Sequence, residues 1–201
     1  LDSGVILSSG CASSFALNNS CAVTNTGITD ADLLQVASSV PPLIGQSFSV
    51  AAIYDAAVIE FDFVPTSDTL NFGFVFASEE YNGFENTSFN DAFGLFLSGP
   101  GINGSFSNGA INLAIIPNST PPLPVTISSV NSVTPINQQY FVDNIGGLDT
   151  IASADGLTTV LTARALVQCG ETYHIRLAIA DGTDQILDSY VWLEAGSFSS
   201  P

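Results

Sequence analysis

The chain has no methionine and no lysine, two arginines (Arg164 and Arg176), one histidine (His174) and one tryptophan (Trp192). Set against 19 acidic residues, this leaves a formal net charge of −17 over 201 residues. A surface so poor in cations is unsuited to nucleic acid or anionic lipid, since both are held by neutralising their phosphates. No apolar run nears the roughly 18 residues needed to cross a bilayer, so no direct membrane insertion is expected. The start, LDSGVILSSG, has neither a basic flank nor the shape of a signal peptide. With no initiator methionine either, the expectation is a processed chain or a piece of a longer one.

Cysteine is scarce as well: Cys11, Cys21 and Cys169. No CxxC occurs, which argues against a cysteine zinc site. Cys11 and Cys21 are near enough in sequence to close a small loop, and a disulfide there would be worth about 2–3 kcal/mol. An odd third cysteine fits an oxidising compartment with a free thiol or a partner elsewhere. The motifs of hydrolases are missing too: no GxSxG, no HExxH, no phosphate loop. Paired carboxylates such as Glu80 and Asp91 would suit glycoside hydrolysis, but 19 acids make such pairs common. A single Trp supplies little for sugar stacking. Catalysis is not expected.

What the chain does have is alternation. Hydrophobic residues make up 46% of it, enough for a large core. In NFGFVFASEEYNGFENTSFNDAFGLFLSGP, Phe72, Phe74 and Phe76 recur every second residue, as do Phe93, Leu95 and Leu97. A period of two marks strands with a buried face. Strands are also expected at Ala57–Val64, Ala110–Ile116, Val125–Val130, Leu157–Val167, Tyr173–Ala180 and Ser189–Ala195, with turn residues between. Residues 1–27 read as loop with a short edge strand near Gly4–Leu7. One short helix is expected near residues 30–37, capped by Thr29 and stopped by Pro41-Pro42. The whole predicts one all-β domain over residues 1–201: an antiparallel β-sandwich, jelly-roll-like.

The stretches FGFVFASEEYNGFENTSFNDAFGLFLSGPG, INLAIIPNSTPPLPVTISSVN, YFVDN, DGLTTVLTARALV, CGETYHIRLAIADGTDQILDS and VWLEAGSF, taken together, resemble the choice-of-anchor L domain of bacterial secreted and surface proteins. The resemblance implies a secreted or bacterial cell-surface location. It also implies company: such domains are commonly joined to adhesive repeats and a sorting or anchoring segment. It implies no defined ligand.

The acids gather in two places. Glu79, Glu80, Asn90 and Asp91 lie in the connection between the two Phe-rich strands. Asp181, Asp184 and Asp188 lie in a second loop, where Gly182 allows a tight turn. If the first connection returns like a hairpin, Glu79 or Glu80 approaches Asp91. Carboxylates about 4 Å apart repel by about 1–4 kcal/mol. Calcium, which takes six to eight oxygen ligands, would turn that cost into a gain. These seven residues are therefore the candidate calcium ligands.

The expected function is an adhesin-type binding or display module, stabilised by calcium and facing a cell-surface or extracellular ligand such as a glycan. The alternative is a self-assembling subunit of an extracellular filament or surface layer, with other copies of itself as partner.

Overall fold

The computed structural model describes residues 3–12, 28–134, 136–145 and 154–199. Among these, ten strands form two antiparallel sheets, with one α-helix against the second. In the first sheet the order is β1 (Gly4–Ser8), β10 (Ser189–Glu194), β3 (Thr69–Ser78), β7 (Gly156–Thr158) and β6 (Phe141–Asp143). Strand β8 (Leu161–Leu166) pairs further along β3. The second sheet runs β2 (Ile53–Phe63), β9 (Tyr173–Gly182), β4 (Ala92–Ser98) and β5 (Ile111–Asn112). This is the all-β sandwich that the alternation predicts. No helix among the described residues is long and apolar enough to cross a membrane.

The Phe-rich strands do not pair with each other. β3 lies in one sheet and β4 in the other, so their connection crosses the end of the sandwich and is no hairpin. Phe74, Phe76, Phe93, Leu95 and Leu97 meet in the shared core, all fully buried. The Phe74 and Phe93 rings lie 5.4 Å apart across the two layers.

Three expected strands come out differently. Val125–Val130 is largely a buried turn. Its hydroxyls bind its own backbone: Ser129 Oγ accepts from Thr126 N at 2.9 Å, and Thr126 Oγ1 accepts from Ser129 N at 3.3 Å. Such local bonds compete with a ladder. Ala110–Ile116 shrinks to Ile111–Asn112. There Asn112 Oδ1 accepts from the Leu95 and Ala114 N–H groups and turns the chain off the sheet. Leu157–Val167 is two strands, β7 and β8.

The helix, α1 (Ala31–Leu43), is longer than expected. Asp30, and not Thr29, caps it, accepting from Leu33 N at 2.9 Å. Pro41 and Pro42 lie inside it. Pro41 has no N–H to give Ala37 O, its partner four residues back. The Asn90 side chain supplies that donor instead, at 3.3 Å. The helix then ends in a Schellman turn: Gln46 N donates to Pro41 O at 2.8 Å, with Gly45 at φ 72°.

Arg176 fixes α1 to the second sheet. Its guanidinium donates to Asp30 Oδ2 at 2.6 Å and Asp32 Oδ2 at 2.7 Å, and lies 4.7 Å above the Phe96 ring. Burial works to raise the Asp32 pKa. The Ser107 N–H and Arg176 outweigh it and hold that carboxyl below its usual value.

Cys169 is an exposed free thiol. The expected Cys11–Cys21 bridge lies outside the described residues, because Cys21 does.

Candidate functional site

Because β3 and β10 are neighbours, the end of β3 and the start of β10 sit side by side. Because β4 and β9 are neighbours, the start of β4 and the end of β9 do too. The two acidic loops therefore meet at one end of the sandwich. Glu79 N donates to Asp188 O at 3.0 Å, and Asp188 N to Glu79 Oε2 at 3.2 Å. What reads in sequence as two clusters is one.

At its centre is Asp91, fully buried. Its Oδ1 accepts from Gly182 N at 2.9 Å and its Oδ2 from the Ser189 hydroxyl at 2.7 Å. Burial raises its pKa to about 7, against those two hydrogen bonds. Glu79 is half-buried and takes the Tyr190 hydroxyl at 3.1 Å. Asp188 lies against Gly10, where a Cβ would come within 1.9 Å of its Oδ2, so only glycine leaves it room. Burial, then the charge of Glu79, pushes Asp188 up to about 6.

Glu80 and Asp181 are the unusual members. They are 2% and 1% exposed. Glu80 Oε2 and both Asp181 oxygens have no hydrogen-bond partner at ordinary geometry. The Ser9 hydroxyl favours the charged form of Asp181, but not enough to offset its surroundings. Burial first, then the charge of Asp91, pushes Glu80 up to about 11 and Asp181 to about 10. A buried ionised carboxylate without a partner costs several kcal/mol. At neutral pH these two groups must hold protons or share a cation.

Asn90 and Asp184 play lesser parts. Both ends of the Asn90 amide are used: Nδ2 donates to Ala37 O and Oδ1 accepts from Ser128 N, each at 3.3 Å. Asp184 is half-buried and accepts from Ile186 N at 3.3 Å, while its charge reaches Glu80 and Asp91. Sequence reasoning missed Asp55, which is buried at φ 51° where β2 shifts register against β9, and whose charge acts on Asp181 and Asp188. It also missed Ser9 and Ser189. A bulge that turns one acid inward leaves no mark in a run such as IYDAAVIEF.

The donor set is all oxygen, which suits a hard cation such as calcium and not a soft one. Among the described residues, no three acidic, histidine or cysteine side chains stand close enough to hold one ion together. Calcium would therefore rest on fewer carboxylates, completed by carbonyls, hydroxyls and water.

A search of curated proteins finds no match. A family profile, the choice-of-anchor L domain, matches residues 1–199. The match takes in nearly the whole chain, sandwich and acidic end together, and so this chain belongs to the choice-of-anchor L domain family, a family of bacterial surface-associated domains and not of enzymes.

Proposed function

We propose that this domain is an extracellular recognition and display module of the adhesin type, with calcium steadying its acidic end. One observation carries the reading: the two converging loops bury the carboxyls of Glu80 and Asp181, with Glu80 Oε2 and both Asp181 oxygens lacking a hydrogen bond of ordinary geometry. Such an arrangement is costly unless something neutralises it. Outside a cell, calcium is available to do so. Modules there bind it with dissociation constants of about 10⁻⁴–10⁻³ M. Loops on a rigid sandwich are also where binding residues usually sit.

The test is thermal unfolding with calcium, with magnesium and with chelator. Calcium at about 100 times its dissociation constant should add about 2.7 kcal/mol. An unchanged midpoint removes calcium from the reading. Recognition is tested separately, by retention of domain-coated beads on cells and glycan-coated surfaces; no retention on any of them removes the adhesin role.

A further inference from the structure

We propose that the free edge of β2 docks an extended, basic-flanked segment of another protein, which adds to the second sheet as a strand. This rests on the recognition reading and names a partner chemistry for it. Three observations support it.

First, β2 pairs only with β9, and among the described residues no other backbone bond engages Val58–Phe63. Its outer N–H and C=O groups form an open ladder, the template for strand addition. Second, five consecutive residues, Val58 to Asp62, are exposed. In a two-layer sandwich one face of a strand should be covered. Here Ile59 and Phe61 remain 37% and 39% exposed, over an apolar groove of about 310 Å³ bounded by Val5, Phe72, Leu193 and Phe198. Alternate side chains of an added strand would fill it.

Third, the rim is acidic. Glu60 and Asp62 flank the edge and Glu194 lines the groove. His174 lies beside the first two, 3.6 Å from Glu60 and 2.8 Å from Asp62. A second copy of this chain carries −17 and no lysine, so it would meet like charge. A strand flanked by Lys or Arg would meet its complement.

The experiment uses three synthetic peptides of equal length, each alternating valine and threonine. One is flanked by lysines, one by glutamates, and one is lysine-flanked with a central proline. Fluorescence anisotropy on the intact domain should show binding of the first alone, weakening about tenfold or more in high salt. Hydrogen exchange should slow at alternate amides between Val58 and Asp62. The double variant Glu60→Lys, Asp62→Lys, changed only at exposed positions, should reverse the preference to the glutamate-flanked peptide. Equal binding of the proline peptide, unchanged exchange in β2, or no reversal overturns the proposal. So does self-association that the lysine peptide fails to compete. If all three peptides fail while coated beads are still retained, recognition stands and only this docking edge falls.

Discussion

Asp91 accepts the Ser189 hydroxyl at 2.7 Å, joining the threshold of β4 in one sheet to the first residue of β10 in the other. Its second oxygen takes Gly182 N at the end of β9. Asp91→Ala would strand two buried donors, at about 1–3 kcal/mol each. Relief of its repulsion with Glu80 and Asp181 offsets part of that, so urea denaturation should show a net loss of about 2–4 kcal/mol. Asp91→Asn keeps the shape and one acceptor and should lose less.

Stability should fall with rising pH in chelator. Asp188, Asp91, Asp181 and Glu80 all have raised pKa values, so the folded chain binds more protons than the unfolded one. Their contribution is complete below the ordinary carboxylate range of about 4. It is lost as pH climbs through about 6 for Asp188 and about 7 for Asp91, and then towards 10 and 11. Each pH unit costs about 1.4 kcal/mol per fully buried titrating carboxyl. Melting curves from about pH 5 to pH 9 check this, and saturating calcium should flatten the slope.

Glu80→Gln and Asp181→Asn remove the charge while keeping the shape. In chelator at mildly alkaline pH each should raise the unfolding midpoint, because no proton need be held. Each should also shrink the calcium response. A variant that melts lower and responds fully would show that its carboxylate is not the one calcium uses.

Asn90→Ala separates scaffold from ligand. It leaves Ala37 O and Ser128 N without their partner, at about 1–3 kcal/mol each. The domain should lose stability while its calcium-induced shift stays intact, measured by the same melting curves.

Arg176→Met should loosen α1 from the second sheet. It leaves Asp30 and Asp32 facing each other without their shared cation. The pair is mostly but not wholly buried, so the expected loss is about 2–4 kcal/mol. Exchange protection should drop in α1 before it drops in β9.

Much of the fold is legible in the residues. The period of two in Phe72–Phe76, Phe93–Leu97 and Tyr173–Ile179 marks strands, because alternate side chains of a strand share a face. The same reasoning fails at Val125–Val130, where hydroxyls bind their own backbone, and at Pro41-Pro42, where Asn90 from a distant loop replaces the missing donor. Of the site, Glu79, Glu80, Asp91, Asp181 and Asp188 are readable as acids in loops, whereas their convergence is not.

Periodicity and composition are local properties, and they already settle the class of the fold, its acidity and which loops carry acid. Three further facts emerge only once the chain is folded: the β3–β4 and β9–β10 loops share one end, Asp55 joins them, and among the described residues no strand covers the outer edge of β2. Each depends on which strands become neighbours, and that choice is made by packing between residues far apart in the chain.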